Sequence, residues 1–336
     1  MTFPRPVYYP PFNITRAGHM VLSVRDLARS RDFYTNVIGL VVSDEDANTI
    51  YLRGLEEIGH HSLVLEKTAG QPECRRIGLR VLTDEELEKA ARHFTSIGLA
   101  PRWAEVPFQG RTLHVADPFG VPYELCASMT RVDRAIMKSM HHVGGAPLRF
   151  DHLQLHMTEI AKVCEFYTSL GFRTSDYLVA GPSEDLVGVF MHRKDIPWDL
   201  VFLRGSGPRM HHFAYVVSTA QDMFRACDCA GLFKFGPLVE HGPGRHGMGH
   251  VQFTYFRDPD GHSLELVLDA PHLMTDAETE PVRWDPEKRR NAIDWGNPPP
   301  RRWYEEATNF PGIEPKIMPM TPGRVALEDY LATFSR

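Results

Sequence analysis

One pattern occurs four times along this 336-residue chain: a strand, an amphipathic helix stopped by glycine, then two or three further strands. No other feature limits the fold as tightly, because each βαβββ unit must stack on another copy to bury its apolar face. The first copy starts with the strand His19-Met20-Val21-Leu22-Ser23-Val24. Its helix has Asp26 as N-cap, carries Leu27, Ser30, Phe33, Tyr34 and Val37 at helical spacing, and stops at Gly39. Strands at Thr49–Leu52 and Ser62–Leu65 follow. The second copy has a strand at Ile77–Leu82, a helix from Asp84 to Ile97 stopped by Gly98, and strands at Thr112–Val115 and Tyr123–Leu125 joined through Asp117-Pro118-Phe119-Gly120. After a linker ending Gly144-Gly145-Ala146-Pro147, the third runs from Asp151 through a Phe166-Tyr167 helix to Leu203, and the fourth from Met210 through a helix around Gln221–Ala230 to Leu268. The predicted fold is α+β, with four βαβββ modules paired into two domains, 1–145 and 146–272, and a C-terminal extension, 273–336, as a lid. Residues 1–15, proline-rich and aromatic, are expected as an arm on the surface.

Overlaying the copies shows which polar residues belong to the pattern. Glu265 interrupts the apolar strand His262–Leu268, and a lone carboxylate there is costly to bury unless a cation holds it. His152 lies near the start of the strand Phe150–Met157, and His212 lies in Met210–Val217, where strand alternation sends His211 to the opposite face. Two imidazoles and one carboxylate on three strands make the facial triad that holds Fe(II) and leaves positions open for oxygen and substrate. An offset of 133 residues, set by Phe33-Tyr34 on Phe166-Tyr167, puts His19 on His152. An offset of 135 puts Ile77 on His212, and one of 141, set by Asp117-Pro118 on Asp258-Pro259, puts Glu124 on Glu265. Only the C-terminal half has all three, so the metal is expected there. The N-terminal half reads as a degenerate copy serving stability and assembly.

The net charge of −6 with scattered charges offers no basic stripe for nucleic acid. Five cysteines, of which Cys227 and Cys229 fall in a predicted helix, form neither a disulfide framework nor a zinc-ligand spacing. No apolar run approaches membrane-spanning length and Met1–Pro6 has no signal-peptide core, so a cytoplasmic protein that meets no membrane is expected.

Four segments carry a family resemblance: Val24-Arg25-Asp26-Leu27-Ala28-Arg29-Ser30-Arg31-Asp32-Phe33-Tyr34, Gly207-Pro208-Arg209-Met210-His211-His212, Gly242-Pro243-Gly244-Arg245-His246-Gly247 and Asp294-Trp295-Gly296-Asn297-Pro298. Through them nearly the whole chain resembles the type I extradiol ring-cleaving dioxygenases of the vicinal oxygen chelate superfamily. The nearest branch is that of homoprotocatechuate (3,4-dihydroxyphenylacetate) and catechol 2,3-dioxygenases, which has a C-terminal extension over its active site. The resemblance implies glyoxalase/bleomycin-resistance-like domains and Fe(II), or Mn(II), on His152, His212 and Glu265. It implies O2 as co-substrate, a small aromatic diol as substrate, and a homo-oligomer, a tetramer. His246 and Tyr255 are implied as proton-handling groups beside the catechol, with Arg290 reaching in from the lid. The implied reaction is meta cleavage of a substituted catechol to a semialdehyde.

Three pocket positions depart from the branch. Its acid–base histidine is Trp198 here, its asparagine after the first ligand is Gln154, and its carboxylate-greeting arginine is His241. Tryptophan cannot shuttle a proton, although its ring suits an aromatic ligand. His192 would take the histidine's place only if the strand register shifted. Arg245 and Arg290 remain to meet a substrate carboxylate. Rival readings are metal-dependent cleavage of a hydroquinone or aminophenol, a non-oxygenase lyase or isomerase of the superfamily, and a protein that only binds an aromatic ligand. The complete triad argues against the last, since an apolar pocket needs no anionic metal ligand.

Overall fold

The computed structural model describes residues 3–268, 274, 280–285, 295–321 and 324–335. In the first repeat β1 (Ile14–Val24) leads into α1 (Leu27–Asp32), whose first turn is capped by the Asp26 carboxylate accepting from Arg29 N. A π-helical turn, Phe33–Ile38, continues it, and Gly39 at φ 89° ends it, a conformation that a β-carbon would strain. Strands β2 (Val41–Glu45), β3 (Thr49–Arg53) and β4 (Leu63–Lys67) complete the unit. The second comprises β5 (Cys74–Val81), α2 (Asp84–Ser96), β6 (Arg102–Ala104), β7 (Thr112–Ala116) and β8 (Pro122–Cys126). The third comprises β9 (Arg149–Met157), α3 (Ile160–Ser169), β10 (Arg173–Ala180), β11 (Asp185–His192) and β12 (Leu200–Arg204). The fourth comprises β13 (Arg209–Val217), α4 (Ala220–Leu232), β14 (Val239–Arg245), β15 (Gln252–Arg257) and β16 (Ser263–Leu268).

Strand order confirms the pairing that the repeat predicts. The N-terminal sheet runs β2-β3-β4-β1-β5-β8-β7-β6, with the antiparallel pair β1·β5 flanked by the parallel pairs β1·β4 and β5·β8. The C-terminal sheet repeats this as β14-β15-β16-β13-β9-β12-β11-β10 and adds the short β17 (Val282–Trp284) at the β10 edge. The parallel pairs need a crossover, which each unit's helix supplies.

The halves are tied together by a reciprocal pair of bonds. Asp117 and Asp258 occupy equivalent turns, and one oxygen of each accepts two backbone N–H groups, from Phe119 and Val121 and from Asp260 and His262. The other oxygen takes a buried tyrosine from the opposite half: Tyr167 donates to Asp117 at 2.7 Å and Tyr34 to Asp258 at 3.0 Å. One apolar core runs through both halves, with Phe33 of the first edge-on to Phe235 of the second.

The N-terminal arm lies on the surface, with Tyr8 and Tyr9 exposed, and two of its rings pin it there: Phe12 is buried against Phe94, and Phe3 packs on Tyr177 at 4.3 Å between ring centroids. The C-terminal segment contributes α5 (Arg301–Glu305) and α6 (Leu327–Ala332), and pairs through short bridges with Gly207, Met210 and Arg245. Arg290 lies outside the described residues. Among the described residues no helix is long and apolar enough to cross a membrane.

Candidate metal centre

His152 on β9, His212 on β13 and Glu265 on β16 lie on three neighbouring strands and converge. One ligand atom from each lies within 4.8 Å of the others, and all three residues are buried. Glu265 Oε2 is 3.3 Å from His152 Nε2 and 3.4 Å from His212 Nε2. The second contact fails hydrogen-bond geometry, so His212 Nε2 is a buried nitrogen with no partner. Buried polar atoms are normally satisfied, and one left bare beside a carboxylate and a second imidazole fits a cation between them. The donor set suits Fe(II) or a similar divalent ion.

The imidazoles are held from behind. His152 Nδ1 is 2.6 Å from Asp151 Oδ2, a carboxylate that can only accept, so Nε2 is left to face the centre. Burial opposes a charge on His152, but the bonds to Asp151 and Glu265 outweigh it and push the ring up to about 9. Burial lowers His212, and Glu265 does not restore it. For Glu265 burial works against ionisation, yet His152, His212 and His246 together hold it well below the usual carboxylate range. These fields favour positive charge at the centre, the same preference a metal ion satisfies.

His211 does not point away from His212. The register of β13 on β9 slips between Met210 and His212, a bulge that overrides alternation, and the two Nδ1 atoms lie 2.7 Å apart. His211 Nε2 in turn lies 2.5 Å from the carbonyl oxygen of Trp303 in the C-terminal segment.

Around the triad the structure assembles most of the expected pocket. Tyr255 stands opposite Glu265 in the β15·β16 ladder, and its hydroxyl is 3.1 Å from His246 Nε2, which is 3.3 Å from Glu265 Oε1. Burial, reinforced by Glu265, pushes the Tyr255 phenol well above its ordinary value, so it keeps its proton. His246 stacks on Phe253 at 4.0 Å. His241 stacks parallel to Tyr255 at 5.6 Å, and burial lowers it to about 3, so it is neutral and no stand-in for an arginine. Gln154 lies two residues beyond His152 on β9, buried, with its Nε2 unbonded. Trp198 is buried edge-on to His152 at 5.5 Å, and a β-carbon on Gly249 would meet its ring at 2.7 Å. Its Nε1 points toward Asp176 Oδ2 at 3.4 Å.

Two further candidates have contacts of their own. Arg245 donates through NH1 to the His250 carbonyl and pairs by backbone with Trp295, so its described contacts hold the Gly242–His250 loop. His192 bonds Lys194 O and lines a separate cavity of about 290 Å3 with Phe3 and Phe172; no register shift brings it in. Reading the sequence missed Asp151, His211 and Trp303. The adjacent pairs Asp151-His152 and His211-His212 were the only available signals, and strand alternation argued against both.

Residues 16–125 and 149–266 match the Glyoxalase/Bleomycin resistance protein/Dioxygenase superfamily. The chain belongs to that superfamily. Its relatives there are extradiol dioxygenases. A manganese-dependent 2,3-dihydroxybiphenyl 1,2-dioxygenase of Geobacillus genomosp. 3 is 27% identical over 304 residues, covering 85% of this chain and 94% of the relative. A metapyrocatechase of Geobacillus stearothermophilus is 24% identical over 89% of this chain and 95% of its own. Among solved structures, homoprotocatechuate 2,3-dioxygenase from Brevibacterium fuscum, in its anaerobic complex with 3,4-dihydroxyphenylacetate, superposes with a TM-score of 0.87. That alignment has 32% identity and covers 95% of this chain and 99% of the other.

Proposed function

We propose that this chain is an extradiol dioxygenase that opens a substituted catechol beside its two hydroxyl-bearing carbons, adding both atoms of O2 to give a ring-opened semialdehyde. The observation that carries the reading is the buried convergence of His152, His212 and Glu265, with Tyr255 and His246 alongside. On this reading the three hold Fe(II), with Mn(II) the alternative that the Geobacillus genomosp. 3 relative favours. Such an ion supplies, when bound, a common centre at which an electron-rich catecholate and O2 are held side by side and exchange charge. The two neutral imidazoles and single carboxylate leave room there for an anionic substrate.

The protein's own groups do the rest. Tyr255 keeps its proton and is a hydrogen-bond donor to oxygen beside Glu265. His246, in reach of both Tyr255 and Glu265, takes a proton from the catechol or returns one to the product. Such transfer is worth about 10²–10⁴-fold in rate. Trp198, with Phe190 and Val251, gives an apolar wall that excludes water and faces an aromatic ring. The N-terminal half, 1–145, is scaffold, residues 146–272 carry the chemistry, and the C-terminal segment covers it. We carry the cytoplasmic homotetramer in this reading on the family resemblance alone, and sedimentation tests the assembly.

The deciding experiment is anaerobic loading with Fe(II) or Mn(II), then oxygen uptake and visible absorbance with a panel of catechols, aminophenols and hydroquinones. A yellow product from a catechol is expected. Metal and ligand binding with no oxygen consumed across the panel would overturn the reading. Turnover of an aminophenol or hydroquinone alone would give Trp198, which lacks the branch's ionisable group, a different reaction.

A further inference from the structure

We propose that His211 is a positioning residue of the metal centre: with its Nε2–H committed to the Trp303 carbonyl, its Nδ1 accepts the Nδ1 proton of His212 and turns a bare Nε2 of His212 toward the ion. This rests on the reading of His152, His212 and Glu265 as the ligands.

The geometry assigns the protons in sequence. A carbonyl oxygen only accepts, so the 2.5 Å contact between Trp303 O and His211 Nε2 places a hydrogen on that nitrogen. His211 is 1% exposed, and its hydrogen bonds go to the Trp303 carbonyl and to His212 Nδ1, neither of them a carboxylate that could hold a buried imidazolium, so the ring is the neutral Nε2–H tautomer. Its Nδ1 is then a lone pair. That nitrogen lies 2.7 Å from His212 Nδ1, which must supply the hydrogen between them. A neutral His212 protonated at Nδ1 has its lone pair at Nε2, the atom that has no partner and lies 3.4 Å from Glu265. The hydrogen bond at one ring nitrogen decides what the other can ligate.

His152 receives the same service from Asp151, a carboxylate. The two rings are therefore set by unlike acceptors, one anionic and one neutral. A second carboxylate at position 211 would add another negative charge beside Glu265 and the incoming catecholate; imidazole orients without charge.

The C-terminal segment thereby acts on the centre without touching it. Met210 and Thr308 exchange both backbone bonds, at 2.9 and 2.8 Å, which lays the segment along β13 at the bulge and brings the Trp303 carbonyl to His211. Trp303 also packs edge-on against His211 at 4.5 Å and Tyr255 at 5.2 Å.

The test reads the metal-free protein and its affinity for Zn(II), not turnover. Nitrogen-15 NMR of the histidines in the metal-free wild type should show His212 protonated at Nδ1; protonation at Nε2 overturns the proposal without any variant. In chelator competition, His211→Phe keeps a planar ring against Trp303 but no acceptor, and should bind Zn(II) about 10–100-fold more weakly. His211→Asn, whose Oδ1 can accept from His212, should recover most of that loss, which a packing role alone would not predict. Glu265→Gln separates the two levels. If Glu265→Gln loses Zn(II) and His211→Phe does not, the inference falls and the ligand set stands. If Glu265→Gln binds like wild type, the ligand set falls and takes the inference with it.

Discussion

His19 Nε2 lies 2.5 Å from Glu124 Oε1, so in the N-terminal half the counterparts of His152 and Glu265 are bonded directly to each other. Arg76 completes the arrangement, its Nε donating to Glu124 Oε2 at 2.7 Å. The offset that puts Ile77 on His212 puts Arg76 on His211, and a guanidinium thus balances Glu124 where the other half has its ligand-binding fields. Gln109 also donates to Glu124, and His114 Nε2 lies 3.2 Å from the same carboxylate, yet among the described residues only His152, His212 and Glu265 bring three ligand atoms together.

From this closed geometry we expect one metal ion per chain. Elemental analysis after loading should find one equivalent in the wild type, one in folded Glu124→Gln and close to none in Glu265→Gln. A second equivalent that disappears with Glu124→Gln would mean that the N-terminal site opens to metal.

Tyr255→Phe removes one hydroxyl and little packing. Because His246 sits 3.1 Å from that hydroxyl, the variant should lose about 10²–10⁴-fold in kcat while metal content stays unchanged. Steady-state oxygen uptake beside elemental analysis checks it, and a variant that loses its metal would recast Tyr255 as a structural prop.

Trp198→Ala opens space beside His152. Truncating so large a buried ring should cost about 3–5 kcal/mol of stability and raise KM for catechols, with one metal still bound. An unchanged KM in thermally stable protein would leave Trp198 as packing only.

Burial pushes the Asp117 carboxyl up to about 6, although Tyr167 and the backbone N–H groups of Val121 and Phe119 pull the other way. A folded pKa above the unfolded 3.8 means that the native state binds the extra proton, so this stabilisation is full below that value and is lost as pH rises through 6. Asp117→Asn keeps an acceptor for the turn and never ionises. Relative to wild type it should gain on the order of 1–3 kcal/mol between pH 5 and pH 8. Urea midpoints at both pH values measure the gap, and one that fails to widen refutes the assignment.

Much of this was legible in the chain. Gly39, Gly98 and the turns at Asp117 and Asp258 punctuate the repeat so regularly that four units in two pairs can be read off, and the offsets put His152, His212 and Glu265 at repeat-equivalent places without any structure; the strand order within each sheet came from the structure. Orientation behind the centre was not legible. Period-two alternation holds only for an unbroken ladder, and the register slips that β13 and β9 make at His211 and near Asp151 turn both side chains toward their neighbours. Trp303 was hidden for another reason: its carbonyl matters, and a backbone group leaves no mark on residue type.

The crossed bonds of Tyr34 to Asp258 and Tyr167 to Asp117 also explain why a half without a metal triad is kept. Cutting the chain at Gly144 would strand each aspartate inside a turn with no hydroxyl to meet it. The repeat looks like redundancy, but each copy finishes the other's corner, so neither is a spare and the unit that can be inherited, expressed or engineered is the pair.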